Sequence, residues 1–283
     1  MFPKECLIAR EERQDRVTRT GRPALAAWIA VAHELADLSG AAILPYFRRA
    51  IPVENKAGLA DFDPVTAADR SAERAISRSL SRHWPEHGLE GEEYGSRRGS
   101  GRLRWVVDPI DGTRAFILGL PIWGTLIGLM DGDIPLLGMM DQPYIRERFW
   151  SGIRASYFRG PDGKQRRLKT RTCDQLGNAM LSTTSPDLFA PGVEQRGFAA
   201  LKARVRAARY GGDCYAYCLL AAGYIDVIVE SGLKAHDVVA LIPIIERAGG
   251  CITTWDGRSA ASGGRIVATG DPRLHEEVLS VLA

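Results

Sequence analysis

The stretch Arg104–Phe116, RWVVDPIDGTRAF, ends an apolar run on two aspartates, Asp108 and Asp111, followed at once by Gly112 and Thr113. Pro109 fixes the backbone after the first acid, so Asp111 can turn back beside Asp108, with the Ile110 carbonyl toward the same point. Two carboxylates and a carbonyl suit a hard cation such as Mg²⁺, which takes oxygen ligands. Without a cation, crowded carboxylates repel and one is pushed toward protonation. Gly112 allows close backbone approach, and a helix starting there would offer free N–H groups to a phosphate. Three more acidic positions stand at junctions between elements: Asp69, Glu92 with Glu93 in EGEEYG, and Asp237 after KAH. Taken singly, each has an ordinary explanation. Asp69 suits a helix N-terminus, the paired glutamates suit a solvated loop, and Asp237 suits a helix cap.

These acids need elements to hold them. Pro23–Arg49 is rich in Ala and Leu at helical spacing and is expected to be a helix. ENKAGLADFDPV reads as a loop. Thr66, with Asp69 three positions on, reads as the N-cap of a second helix. RWVVDPI is a short buried strand, and PIWGTLIGLM, IPLLGMMDQP and RERFWSGIRA form an antiparallel meander. PDG at 161–163 is a turn. Beyond it, NAMLSTTS, VRAARYGG, YIDVIVES, GCITTWDG and RIVATG read as strands. DCYAYCLLAAG, DVVALIPIIERAGG and DPRLHEEVLSVL read as helices, the second ending on C-cap glycines. The mixture is α+β, with residues 1–21 a charged, poorly ordered lead-in and a boundary between two lobes near 155–180.

With 283 residues, 45% apolar and 25% charged, the chain is long enough for one large domain or two packed lobes. A net charge of +3, with arginines mixed among acids, excludes a dedicated nucleic-acid binder. There is no apolar leader of signal-peptide type and no stretch that would span a membrane. A cytoplasmic protein is expected by default. Cys6, Cys173, Cys214, Cys218 and Cys251 are an odd, scattered set without disulfide or zinc-ribbon spacing. Cys214 and Cys218 lie one helical turn apart, which suits packing better than a shared metal.

Four ordered motifs, DPVTAAD (63–69), GEE (91–93), DPIDGT (108–113) and HDVVALIPIIERAGG (236–250), resemble those of the inositol-monophosphatase superfamily of Mg²⁺-dependent phosphomonoesterases. The resemblance covers about residues 24–280. It departs at His236, where the family carries a tryptophan. It implies a layered αβαβα sandwich of the inositol monophosphatase/fructose-1,6-bisphosphatase type over residues 22–283. A metal-binding lobe would run to about 160 and an α/β lobe from about 161, in a homodimer; the apolar meander from Pro121 to Ala155 is a candidate for its interface. By the same resemblance, Glu92, Asp108 and the Ile110 carbonyl hold a first Mg²⁺, and Asp108, Asp111 and Asp237 a second. A weaker third ion shares Glu92, and Mn²⁺ suits the same oxygens. Asp69 and Thr113 orient and deprotonate the attacking water, the backbone N–H groups of Gly112 and Thr113 hold the phosphate, and Lys56 lies near the site. No covalent intermediate is needed, because metal ions neutralise the ester, activate water and stabilise the leaving alkoxide.

The motifs do not separate substrates within the superfamily. By the same resemblance, Asp213 stands where polyol phosphatases commonly carry a small residue, and Glu230 at a position that in the family contacts the substrate's non-phosphate part; the two carboxylates suit a cationic alcohol. The segments around DPIDGT and YAYCLLAAGYIDVIVES look closest to histidinol-phosphate phosphatases, so histidinol phosphate is the expected substrate. Two ordinary readings stand beside this one: Asp213 capping the helix that starts there, and Glu230 solvated at a strand end. If both hold, inositol 1-phosphate or another small phosphate ester fits better. A bisphosphate would need added cations, for which Arg166, Arg167 and Arg171 are candidates. A non-catalytic metal-binding scaffold would show a broken acid set, and the set is complete. His236 has an open role beside Asp237, and Trp123 is expected in the core.

Overall fold

The computed structural model describes residues 15, 16, 18, 21–50, 52–55 and 64–283. Most of the lead-in at 1–21, and the loop 56–63 with Lys56 and Asp63, lie outside the described residues. The first long helix, α1 (Arg22–Ile43), buries Leu25, Val31, Ala32, Leu35, Ala36, Ser39, Gly40 and Ile43, a stripe at three- and four-residue spacing. It stops six residues short of the expected Arg49. Pro45 has no N–H to continue the ladder and disfavours helical backbone just before it. Two short strands, β1 (Val53–Asn55) and β2 (Pro64–Thr66), pair antiparallel within the segment expected to be loop. β2 feeds directly into α2 (Ala67–His83).

Two sheets follow. The first contains β3 (Gly88–Gly91), β4 (Gly95–Arg97), β5 (Leu103–Asp111), β6 (Gly124–Asp131), β7 (Ile134–Gln142), β8 (Glu147–Ser151), β9 (Ser156–Arg159) and β10 (Gln165–Arg167), in the order β10-β9-β8-β7-β6-β5-β3-β4. The meander is its centre, and only β3–β5 is a parallel pairing. The sheet extends through β10, past the expected lobe boundary at 160. A short helix, α3 (Thr113–Ile117), separates β5 from β6.

The second sheet joins β11 (Met180–Thr183), β12 (Ala207–Tyr210), β13 (Val227–Leu233), β14 (Cys251–Thr254) and β15 (Gly264–Thr269), in the order β12-β11-β13-β15-β14. Its helices are α4 (Val193–Lys202), α5 (Asp213–Ala221), α6 (Ala235–Val238), α7 (Leu241–Ala248) and α8 (Pro272–Leu282). The single helix expected over 237–250 is split into α6 and α7. Pro243 lacks the N–H that would bond to the Val239 carbonyl, and the helix breaks at that point.

Alternation along the strands decides the layers. Trp105, Val107, Ile127 and Leu129 pack under α1 and α2. Val106, Leu126 and Met130 face the opposite way, onto α5 and α7, where Ile228, Ile266 and Ala268 of the second sheet meet them. Val227, Val229 and Val267 turn outward onto Phe198 and Leu201 of α4 and Leu274 and Val278 of α8. The order of layers is α, β, α, β, α. Packing on both faces accounts for the apolar content of the Pro121–Ala155 meander within one chain. Cys214 and Cys218 are buried thiols of the middle layer, as the packing reading requires. Cys251 is disulfide-bonded, which the scattered cysteines did not suggest.

One close approach ties the middle layer to the first sheet. Gly128 of β6 and Gly138 of β7 are direct cross-strand partners. A Cβ on Gly138 would lie 1.8 Å from the Ala240 carbonyl oxygen, and one on Gly128 would lie 2.7 Å from Val239 Cγ1. The α6–α7 junction therefore rests on bare backbone.

Candidate active site

β5 and β6 slip register inside the DPIDGT motif. Asp108 is opposite Leu126 and Asp111 is opposite Gly124, so three steps on β5 match two on β6. In a regular strand, residues three apart point to opposite faces. The extra residue is a bulge that reverses this parity and turns Asp111 to the side of Asp108. The Asp108 carboxylate accepts the Ile110 N–H at 3.0 Å. The buried Thr125 hydroxyl donates to the Pro109 carbonyl at 2.8 Å and meets Ser39 of α1 at 2.9 Å, which pins the turn from behind. Gly112, at φ 87°, is the left-handed N-cap of α3. Thr113 donates its hydroxyl to the Ile110 carbonyl at 3.0 Å.

Two groups of side chains meet at this turn. Asp108, Asp111 and Asp237 bring carboxylate oxygens within 4.8 Å of one another, and so do Glu92, Asp108 and the His236 ring. His236 thus stands at the cluster rather than on a remote surface, with Nε2 3.5 Å from Asp237. Asp237 accepts the Lys234 N–H at 2.6 Å, so it caps α6 and joins the cluster at once. Asp111 accepts the Cys214 N–H at 2.6 Å, which binds the first sheet to the first turn of α5. Asp69 is buried in the first turn of α2 and accepts both the N–H (2.8 Å) and the hydroxyl (2.6 Å) of Thr66. Thr66 returns a bond to the Ala68 N–H, completing the expected cap. Ala68 packs with Ile110 and Phe116, so the Asp69 turn abuts the Asp108–Thr113 turn. The hydrogen bonds of Asp69 and Thr113 run to different partners, and the two are not joined directly.

Burial pushes the Asp108 carboxyl well above the usual carboxylate range, and Glu92, Asp111 and Asp237 push it further. Asp111 is raised well above it too, by burial first and then by Asp213 and Asp237. Asp237 is raised mainly by burial. Burial lifts Asp69 to about 6 against the pull of its Thr66 bonds. Desolvated, mutually repelling carboxylates are what a hard divalent cation relieves, and the oxygens of Asp108, Asp111 and Asp237 fit one.

Asp213 and Glu230 stand beside this cluster. Asp213 is not the cap of α5. Gly212 holds that position, and no side chain caps the helix. Asp213 itself has φ 43°, continuing a left-handed run from Gly211 and Gly212. Its carboxyl carbon lies 3.1 Å from where a Gly112 Cβ would be, so the bare Gly112 admits it to the turn. Burial raises Asp213 to about 6, with Arg114 opposing and Asp237 adding. Glu230 is buried in β13, not solvated, and accepts from the Thr184 N–H (2.7 Å) and hydroxyl (3.0 Å). Burial raises it to about 7, and the Asp213 charge contributes. Arg166 and Arg167 lie on exposed β10, and Arg171 is committed to Asp226, so these do not form a second anion site here. Trp123 is in the core, packed on Phe47 and Phe116.

Sequence reasoning passed over Glu73. It is buried on α2 and accepts the N–H groups of Glu93 and Tyr94 at 2.7 and 2.9 Å. Its only sequence signal was its place four residues after Asp69, on the same helix face.

Residues 24–283 match the inositol monophosphatase family. The chain is 41% identical over 266 residues to the bifunctional phosphatase IMPL2 of Arabidopsis thaliana, covering 89% of this chain and 74% of that one. It is 37% identical over 224 residues to the histidinol-phosphatase of Mycobacterium tuberculosis, covering 78% and 85%. Among solved structures, an inositol monophosphatase from Zymomonas mobilis superposes with a TM-score of 0.81 at 41% identity, over 92% of this chain and 98% of that one. Proteins of this family are metal-dependent phosphoric monoester hydrolases. The chain belongs to the inositol monophosphatase family and shares that class of activity.

Proposed function

We propose that this phosphatase hydrolyses histidinol phosphate to histidinol and inorganic phosphate, with Mg²⁺ held by Glu92, Asp108, the Ile110 carbonyl, Asp111 and Asp237. When bound, such ions neutralise the doubly charged ester and make water a nucleophile near neutral pH. The side chains divide the remaining tasks. Asp69, at about 6, is ionised at neutral pH and accepts a proton from the attacking water. Thr113 donates its hydroxyl hydrogen bond to the Ile110 carbonyl and leaves its oxygen lone pairs to orient that water. The N–H groups of Gly112 and Thr113, opened by the left-handed turn, hold the phosphate oxygens. The homodimer that the resemblance implies and the cytoplasmic location expected by default belong to the same proposal, and sedimentation of the purified protein tests the first.

The observation that carries the substrate assignment is the pair of buried carboxylates beside the metal cluster, Asp213 against the Gly112 turn and Glu230 within reach of the Asp213 charge. A sugar alcohol gives two buried carboxylates nothing to neutralise, whereas the ammonium of histidinol does. The name of the M. tuberculosis relative points the same way, while the Z. mobilis structure favours inositol 1-phosphate as the second reading. Phosphate release with Mg²⁺ from both esters decides between them. We expect kcat/KM for histidinol phosphate to exceed that for inositol 1-phosphate by about 100-fold or more, because a site built around a polar partner rejects substrates lacking it. Asp213→Asn should remove most of that preference while sparing inositol phosphate. A wild-type preference for inositol phosphate, or equal losses on both esters in the variant, would overturn the assignment.

A further inference from the structure

Glu92 reaches the acid cluster from the short loop after β3, and loops are the least rigid place to hold a ligand. Glu73 braces that loop on both sides of Glu92. Before it, a Cβ on Gly91 would lie only 2.0 Å from Glu73 Oε1, so the carboxylate lies directly against the Gly91 backbone. After it, Glu73 Oε2 accepts the Glu93 N–H at 2.7 Å and Oε1 accepts the Tyr94 N–H at 2.9 Å. Glu73 is 1% exposed, and its neighbour Arg74 donates to the Tyr94 hydroxyl at 2.6 Å, bracing the same loop from outside. Glu73 also sits one turn after Asp69 on α2, so the two share a helix face.

We propose that Glu73 is a positioning residue for the metal site, setting the place of Glu92 relative to Asp108 and to Asp69. A carboxylate that takes two backbone N–H groups makes stronger bonds than a neutral acceptor would, and it takes them on a helix already anchored by the Thr66 cap. The inference rests on the reading that the Glu92–Asp108–Asp111–Asp237 cluster binds a divalent cation.

The experiment titrates the metal-free full chain with Mn²⁺ alone, by calorimetry and by the loss of the free-ion spin-resonance signal, for wild type, Glu73→Ala and Glu73→Gln. Glu73→Ala should weaken Mn²⁺ binding by about 10- to 100-fold, the range for groups that orient metal ligands. Glu73→Gln keeps one of the two acceptor contacts and should fall between it and wild type. The Mg²⁺ concentration for half-maximal phosphate release should rise in step, with much of kcat recovered at saturating Mg²⁺. A merely structural Glu73 would lower the melting temperature and leave the affinity of the folded fraction unchanged. Should Glu73→Ala not fold, Glu73→Gln carries the comparison. Unaltered Mn²⁺ affinity in the folded variants overturns the role of Glu73. Failure of the wild type to bind Mn²⁺ overturns the cation reading beneath it, so the two failures are told apart.

Discussion

Gly138→Ala places a single methyl group where the structure has no room for one. The new Cβ would fall 1.8 Å from the Ala240 carbonyl oxygen and 2.5 Å from its carbon. Both are backbone atoms, so no rotamer change relieves the clash, and the α6–α7 junction must retreat by more than about 1 Å to restore ordinary contact. Overpacking of this kind costs about 1–3 kcal/mol. The catalytic consequence should be larger in proportion, because Asp237 lies three residues before Ala240 and is tied to the start of α6 by its bond to Lys234. A displacement of about 1 Å at a reacting centre costs on the order of 100-fold in rate. Gly128→Ala supplies the comparison. Its Cβ would meet Val239 Cγ1 at 2.7 Å and the nearest backbone atom, the Ala240 nitrogen, only at 3.2 Å, so the backbone must yield less and the loss should be smaller. The assay is kcat/KM for phosphate release as a function of Mg²⁺, with a thermal melt of each variant. A folded Gly138→Ala enzyme with wild-type kcat/KM and Mg²⁺ dependence, or a Gly128→Ala variant more damaged than Gly138→Ala, would show that the glycine pair does not set the position of Asp237.

Asp111→Asn should cut turnover by at least about 100-fold, since even groups one step removed from a metal cost 10- to 100-fold. The same change should raise the melting temperature of the metal-free protein, because Asp111 is buried against Asp213 and Asp237 and repelled by both. Retained activity, or a lower metal-free melting temperature, refutes this. His275 is buried between Thr253 and Thr269, and burial lowers its pKa to about 4. Its folded pKa lies below the unfolded value of 6.5, so the unfolded chain binds the proton first. Stability falls as pH drops through about 6.5 and levels off below about 4, a loss of about 2 kcal/mol near pH 5. Urea titrations should show a shallower decline for His275→Gln, and parallel pH profiles for the two proteins would count against it.

Much of this site was readable because its signals are local. The Thr66–Asp69 cap is a three-residue spacing, and the meander shows itself through alternating apolar strands and the DGD turn. The four motifs carry the layered fold through resemblance, which periodicity alone does not reach. What escaped depends on contacts across layers. Glu73 looks like any acid on a charged helix until Gly91 is seen against it. The cap reading of Asp213 fails only because Gly211 and Gly212 carry the chain through left-handed conformations and hand the N-cap to Gly212. The apolar content of the meander was plain, while the helices that pack on it were distant in sequence. Pro45 and Pro243, both visible, marked helix breaks that the apolar periodicity ran through.

The bulge between Asp108 and Asp111 makes this segment sensitive to length in a way that differs from its sensitivity to side chains. A substitution at either acid weakens one contact and leaves the rest of the turn in place. Removing one residue between them would abolish the bulge and leave Asp111 two steps on, still on the side of Asp108, but without the turn in which the Ile110 N–H meets Asp108 and the Ile110 carbonyl meets Thr113. Both acids would keep their face, while the hydrogen bonds that fix their spacing and aim the Ile110 carbonyl would be lost together. Divergence here is therefore freer to replace a residue than to lose one, because the turn is a matter of spacing before it is a matter of letters.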